Sequence, residues 1–373
     1  MRKKKILQIV GDPVGGIRKH VHDILTGLSN NFDFYYISSS NGDTTYINEI
    51  EHISSIIISH FTLDIRKKPS SVDLINILKI YQYIRCNNID IVHGHGAKGG
   101  LYARICGKLS GCKVVYTPHG GVVHSMFGRL ESKLYKVIER VLCLFTDLLV
   151  FESKYTANAF FQKFGCARVK SVVNYNGVSL PETKQIIQTT KHAADPITKI
   201  GVFGVLRKEK GQQLALQAVK SLINKGHNIQ LHYFGDGPLK KNLQDDITRS
   251  KLDDMVFLHG EVNNVYPFMK QVDFVLIPSL FESFGYIAVE AMFAKKPIIS
   301  SDAGGLNEVL DKNSSFIFKS NSLYGLKNAI SLAMSKDEDV LNNLVQRSYV
   351  FASKRFQINQ MISRLSICYI SLL

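Results

Sequence analysis

Residues 274–292 read FVLIPSLFESFGYIAVEAM, and this run decides the fold. Phe274 to Ile277 is a short apolar run of the kind that a strand buried on both faces requires. A loop follows from Pro278, and Gly285 marks the point where a helical pattern takes over. The unit is therefore strand, loop, helix. Outward from it, short apolar runs alternate with longer amphipathic segments through the whole chain, which predicts repeated β-α units around mainly parallel sheets. Strands are predicted at 5–10, 33–38, 89–93, 113–116, 147–151, 199–204, 229–234, 255–258, 273–277 and 297–300. From Val72 to Cys86, Leu74, Ile75, Leu78, Tyr81 and Ile84 share one helical stripe, with Ser71 placed to cap it. A second stripe, Leu130, Leu134, Val137, Ile138, Val141 and Leu142, faces away from Arg129, Lys133, Lys136 and Arg140. It can pack on a sheet or touch a membrane, and packing is the expectation.

The β-α series breaks after Asn176-Gly177-Val178. Ser179 to Thr198 contains Pro181, Pro196 and a Gln/Thr/Lys-rich middle without periodicity, so it reads as a linker. A second series starts at Lys199. With 373 residues the chain exceeds what one hydrophobic core usually organises. The expected division is residues 1–178, a linker 179–198, residues 199–352 and a last segment 353–373. Two doubly wound halves joined in this way form a cleft, and ligands of such sheets sit beyond the carboxyl ends of the strands.

Composition narrows the function classes. The net charge is +15, and it is uneven: residues 1–180 carry 23 Lys and Arg against 13 Asp and Glu, the remainder 23 against 18. A basic first half attracts anionic partners, whether nucleic acid, anionic lipid or a phosphorylated substrate. The basic clusters Arg2 to Lys5 and Arg66 to Lys68 contain no aromatic residue, which argues against nucleic acid. Arg2 to Val10 imitates a signal peptide, but the apolar run stops at Gly11-Asp12 and reads as a first strand. The most apolar stretch, Val137 to Phe151, is broken by Glu139, Arg140 and Asp147, so no spanning helix is expected. Six scattered cysteines without a CxxC pair indicate neither a disulfide framework nor a structural zinc site, and a reducing cytosol is expected.

The chemistry gathers in the loops. If Gly285 opens a helix, the first amides beyond Phe284 are unpaired and form a site for phosphate or sugar oxygens. Glu282 then sits in the loop and Glu290 two turns along the helix, one suited to sugar hydroxyls and the other to a ribose. Gly15 and Gly16, between a strand and a helix beginning near Arg18, let the backbone approach a diphosphate. His119 follows the strand at 113–116 and is expected to point into the cleft. Asp236, between Gly235 and Gly237, fits a turn, with contact near a nucleotide left open.

The segment Glu282 to Glu290 resembles the E-x7-E signature of glycosyltransferase family 4, retaining enzymes of the GT-B fold that use nucleotide-sugar donors. Gly15 to Val21 is similar to the family's glycine-rich loop and Thr117-Pro118-His119-Gly120 to its histidine loop. Asn176-Gly177-Val178, Gly204 to Gly211, Phe234 to Pro238 and Asp302 to Glu308 match in the same order. The resemblance implies two Rossmann-like doubly wound domains facing across a cleft, with the C-terminal helix crossing back to the first. It implies catalytic roles at the donor sugar for His119 and Glu282. Donor binding falls to Gly16, Arg207, Lys210, Gly235, Asp236, Ser283, Phe284, Gly285, Tyr286 and Glu290. No metal and no other cofactor is expected; cations and amides hold the diphosphate, and a UDP- or GDP-sugar is the donor. It further implies hexose transfer to a lipid-linked glycan in surface-polysaccharide synthesis, with the enzyme peripheral on the cytoplasmic face of the bacterial inner membrane. A nucleotide-sugar epimerase or hydrolase of the same fold is the alternative.

Two departures and three decoys qualify this reading. The family's usual arginine falls at Val205, so Arg207, two residues on and on the same side of an extended chain, is expected to replace it beside Lys210. Lys295 replaces a glycine before Lys296-Pro297. Gly94-His95-Gly96-Ala97-Lys98-Gly99 spells GxGxxG, but no acidic residue occurs between Asp90 and Glu131, as nicotinamide binding would need. His93, His95, His119 and His124 lack both a helical HxxxH pair and a carboxylate nearby in sequence. Asp337-Glu338-Asp339 spells DxD but lies in a polar stretch that reads as a solvated helix start.

Overall fold

The computed structural model of the chain describes residues 2–40, 42, 44–66, 68–124, 129–181 and 197–373. They divide into two compact units, Met1–Gly177 with Ile358–Leu373, and Val178–Gln357. In the first, β1 (Lys5–Val10), α1 (Gly15–Leu28), β2 (Asp33–Ser39), α2 (Thr44–Ile56), β3 (Ser59–Leu63), α3 (Val72–Asn87), β4 (Ile91–His95), α4 (Gly96–Leu109) and β5 (Lys113–Thr117) alternate. Then come α5 (His119–His124), α6 (Arg129–Cys143), β6 (Leu148–Phe151), α7 (Lys154–Phe164) and β7 (Ser171–Val173). The seven strands are parallel in the order β3-β2-β1-β4-β5-β6-β7. Strand order reverses at β1 and β4, so the loops leaving these two strands diverge and leave a crevice at their carboxyl ends.

The second unit begins anew at β8 (Thr198–Phe203) and continues through a single 3-10 turn at Lys208–Lys210, α8 (Gln212–Ile223), β9 (Ile229–Phe234), α9 (Lys240–Arg249) and β10 (Val256–Leu258). Next are α10 (Tyr266–Met269), β11 (Phe274–Ile277), α11 (Tyr286–Phe293), β12 (Ile298–Ser301), α12 (Leu306–Val309), β13 (Phe316–Phe318), α13 (Leu323–Met334) and α14 (Glu338–Arg355). Its six strands are parallel in the order β10-β9-β8-β11-β12-β13, with the reversal at β8 and β11. The final helix, α15 (Ile358–Ile370), belongs to the first unit, where Met361, Leu365 and Tyr369 enter the core against α1 and β1. Sequence reading starts this last segment at Ser353, whereas α14 runs on to Arg355. Of the linker at 179–198, residues 182–196 lie outside the described residues and Thr198 already begins β8.

All ten predicted strands form within two residues of their expected ends. Three further strands, β3, β7 and β13, each form the edge of a sheet. The GxGxxG run serves packing: a Cβ on Gly99 would lie 2.3 Å from the Ile9 carbonyl oxygen, and one on Gly100 would lie 2.1 Å from the Tyr116 ring. These glycines let α4 settle directly on β1 and β5. Asp337 to Asp339 is the exposed start of α14.

Two helices are turned differently from the reading above. On α3 the buried positions are Asn76, Ile80 and Ile84, while Leu74, Ile75 and Leu78 are exposed, and the Ser71 side chain makes no cap bond. On α6 Leu134, Val137, Ile138 and Val141 are 62, 57, 40 and 48% exposed. Of that stripe Leu142 is buried, and it shares the inward face with Glu139 and Cys143. The cause is the buried Arg104 of α4, whose guanidinium stacks 3.9 Å from the Tyr116 ring and forms a two-pronged pair with Glu139 at 2.5 and 3.0 Å. A fully buried guanidinium needs a carboxylate partner, and satisfying it turns the apolar stripe outward.

Candidate functional site

In the first unit, polar side chains collect at the carboxyl ends of successive strands. His95 ends β4, His119 follows β5, Glu152 follows β6 and Asn176 lies beyond β7, while His20 comes from α1 after β1. His119 is buried and holds φ at +50°. That backbone region costs a non-glycine residue of order 1 kcal/mol or more, so it persists only where the surroundings fix it. Here they do. Nδ1 of His119 lies 3.1 Å from Glu152 Oε2, and Nε2 lies 3.3 Å from Nδ1 of His95. The Asn176 amide donates to the same Glu152 oxygen at 3.2 Å. His20 sets its ring edge-on to both His95 and His119, with centroids 5.6 and 5.3 Å away.

The electrostatics follow from burial and pairing. Burial alone would raise the Glu152 carboxyl, but the His119 imidazole beside it, with His20 and the Asn176 amide, draws it below its ordinary value. Burial, with His119 nearby, pushes His20 down to about 3, and burial among the other histidines holds His95 well below the normal imidazole range. His20, His95 and His119 each bring a ring nitrogen within 4.8 Å of the others, the grouping closest to a metal-ligand set among the described residues. Two of these nitrogens already bond one another, and the neighbouring carboxylate, Glu152, stands 33 residues from His119 in sequence. Sequence proximity is thus the wrong test for a carboxylate here. His93 pairs instead with Tyr369 and Thr117.

In the second unit the loops leaving β8 and β11 adjoin at the reversal point. Lys210 Nζ donates to Glu282 Oε2 at 2.6 Å, and Ser279 Oγ donates to the same oxygen at 3.3 Å. The amides of Leu280 and Phe281 donate to the Glu209 carbonyl. Gly211 makes this approach possible: φ is +71°, and a Cβ there would stand 2.0 Å from the Pro278 carbonyl oxygen. On the other side, Gly305 donates to the Glu282 carbonyl at 2.8 Å, joining the loop after β12 to that after β11. Gly285, with φ +95°, is the residue before α11, and no side chain caps that helix start. The amides at its first turn and the Lys210 ammonium lie on the same loop pair, an arrangement suited to anionic oxygens.

The remaining predicted residues are placed as follows. Gly16 is exposed in the first turn of α1, which begins at Gly15 and not near Arg18. Val205 and Arg207 are part-exposed on either side of the buried Leu206, and Arg207 has extended backbone, φ −132° and ψ 154°. Gly235 and Asp236 follow β9; the Asp236 carboxylate accepts from the Gly237 amide and from Lys240 at 2.6 Å, and Lys240 holds it below the usual carboxylate range. Phe284 is buried, edge-on to Tyr286 at 5.5 Å. Ser283 and Glu290 are part-buried, and burial, with Glu290 nearby, raises the Tyr266 hydroxyl. Sequence reading missed Glu152, Gln8 and Tyr369 altogether. It quoted His20 and Asn176 only inside motifs, and it weighed His95 only as a decoy.

Two doubly wound parallel sheets, each with its polar groups gathered at the strand ends, make an architecture of the GT-B type. Residues 14–181 match the model described as Glycosyltransferase Family 4, and residues 184–350 match Glycosyl transferases group 1. The chain belongs to this family of glycosyltransferases and is an enzyme. It is 26% identical over 317 residues to the O-antigen biosynthesis glycosyltransferase WbnH of Escherichia coli, covering 84% of this chain and 86% of the relative. It is 24% identical over 360 residues to the UDP-Gal:alpha-D-GlcNAc-diphosphoundecaprenol alpha-1,3-galactosyltransferase of Escherichia coli, covering 91% and 89%. Among solved structures, Anabaena Alr3699/HepE in complex with UDP and glucose superposes with a TM-score of 0.81 at 20% identity, covering 99% of this chain and 100% of the other.

Proposed function

We propose that this glycosyltransferase is retaining and metal-independent, and moves a hexose from a UDP- or GDP-sugar to a lipid-linked glycan in bacterial surface-polysaccharide synthesis. The observation that carries the donor assignment is the Lys210–Glu282 contact beside the uncapped start of α11. Departure of a nucleoside diphosphate builds negative charge on phosphate oxygens while the sugar gains oxocarbenium character. Lys210, Arg207 and the amides after Phe284 meet the first, and Glu282 and His119 orient the second. The departing phosphate takes the acceptor proton as the new bond forms on the face it leaves. The names of the relatives support UDP-galactose as a first donor to try and a diphosphoundecaprenol-linked acceptor.

Work at the cytoplasmic face of a membrane is supported by the basic first half and by α6, whose exposed Leu134, Val137, Ile138 and Val141 adjoin Lys133 and Arg140. Among the described residues no helix is long and apolar enough to cross a membrane. The test is transfer from a panel of UDP- and GDP-sugars to a polyprenyl-diphosphate-linked sugar in the presence of EDTA, with the product anomer read by NMR. An α-linked product from an α-linked donor, formed in EDTA, is expected. Inversion, or activity restored only by manganese, overturns the mechanism. Donor consumption without an acceptor points to the hydrolase or epimerase reading.

A further inference from the structure

Behind His119 a line of hydrogen bonds runs through the first unit to its final helix. Nε2 of His95 lies 2.7 Å from the Gln8 side-chain oxygen, and the Gln8 amide nitrogen lies 3.0 Å from the Tyr369 hydroxyl. That hydroxyl is 2.7 Å from Nδ1 of His93, and Nε2 of His93 is 2.9 Å from the Thr117 hydroxyl. Gln8, His93, His95, Thr117, His119 and Tyr369 are all buried, so each bond needs a donor matched to an acceptor.

Donor and acceptor matching leaves two arrangements. The Glu152 carboxylate only accepts, so Nδ1 of His119 carries a hydrogen in both. If Nε2 of His119 is bare, it accepts Nδ1–H of His95. Nε2 of His95 is then bare and needs the NH2 of Gln8, whose oxygen turns to accept from Tyr369. The Tyr369 oxygen in turn accepts Nδ1–H of His93, whose bare Nε2 accepts from Thr117. If Nε2 of His119 is protonated, every bond beyond it reverses. His95 and His93 then carry hydrogen on Nε2, the Gln8 oxygen faces His95, and Tyr369 donates to His93. The second arrangement holds one more proton than the first, on His119. An amide can present either end because its oxygen and nitrogen fill the same space.

We propose that Gln8 and Tyr369 are positioning residues for His119: their reversible amide and hydroxyl let His119 take up or release the Nε2 proton without leaving a buried polar group unpaired. The inference rests on the role given above to His119 at the donor. The groups facing His119 are His20 from α1, His95 from β4, Glu152 after β6 and Asn176 after β7. Burial favours the neutral forms of His20 and His95, and of the three imidazoles it is His119 that faces the Glu152 carboxylate, at 3.1 Å.

The test uses the full-length protein labelled with 15N in histidine, with ring-nitrogen correlations recorded across pH. As His119 gains its second N–H, His95 and His93 are expected to exchange tautomer over the same pH range, although the line joins His93 to His119 only through Tyr369, Gln8 and His95. In Tyr369→Phe the His93 exchange is expected to vanish while His95 and His119 still change together. In Gln8→Glu, whose carboxylate only accepts, the midpoint for His119 should rise by one pH unit or more. A single His93 tautomer throughout the titration of the unaltered protein overturns the proposal, as does an unchanged His93 exchange in Tyr369→Phe. Turnover by His119→Ala decides the role of His119 separately, since the spectra need no donor.

Discussion

Replacing Glu282 by Gln separates a donor contact from a structural one. The carboxylate accepts from Lys210 at 2.6 Å and Ser279 at 3.3 Å, and the two ion-pair side chains are 33% and 14% exposed. Discounted for solvent, such a pair contributes below about 1 kcal/mol to stability. Gln keeps the volume, an oxygen for Ser279 and the backbone bond from Gly305, so the melting temperature should fall by less than about 4 °C. On the proposed role the same carboxylate would make a charged hydrogen bond to the donor sugar, and losing such a bond in a closed site costs about 2–4 kcal/mol, or roughly 30- to 1,000-fold in kcat/KM. Calorimetry and initial rates with the donor found by panel screening measure both quantities on one preparation. A folded Glu282→Gln variant with near-normal turnover, or a kinetic loss no larger than its loss of stability, would refute the assignment.

Arg207→Ala should lower kcat/KM by about 1.5–3 kcal/mol and the exposed neighbour Lys208→Ala by less than about 0.5; equal losses in steady-state kinetics would count against Arg207 as the second diphosphate cation. Leu134→Glu with Val137→Glu should weaken co-sedimentation with anionic vesicles at least roughly tenfold, since each inserted apolar side chain contributes about 1.5–3 kcal/mol. Unchanged sedimentation would remove α6 from the membrane contact. His20 titrates near 3 in the fold against an ordinary 6.5, so the unfolded chain takes up that proton first. Its contribution is complete above about pH 6.5 and is lost as pH falls toward 3, and His20→Gln should flatten the fall in urea midpoint over that window. An equally steep fall in the variant would contradict it.

Strand positions were legible where strands are central, because burial on both faces favours an apolar run such as Phe274 to Ile277 or Leu148 to Phe151. Edge strands escape that demand. Ser59–Leu63 alternates with polar residues, and Ser171–Val173 and Phe316–Phe318 are three residues long; the fourth edge strand, Val256–Leu258, is equally short but is extended by Met255 into a four-residue apolar run and so is read. Helix orientation failed for a related reason. Periodicity identifies an apolar stripe on α3 and on α6 but not the direction it faces, and in α6 the direction is set by a charge, Glu139, answering Arg104 from another helix.

The same distinction governs the site. The elements around Lys210 and Glu282 announce themselves locally, since a strand must end, a chain must turn at Gly211 and Gly285, and a helix must begin, each with a recognisable residue. The group around His119 carries no such local mark. His20, His95, His119, Glu152 and Asn176 come from five strand ends or their following segments, and only the parallel order of β1, β4, β5, β6 and β7 brings them together. A parallel sheet places every carboxyl end on one edge. Histidines 24 residues apart, such as His95 and His119, are therefore neighbours for the same topological reason that a GxGxxG run there packs a helix and need not bind a dinucleotide. In such a fold, the sequence evidence for a shared polar site is a polar residue at the end of each successive predicted strand, read across strands and not along the chain.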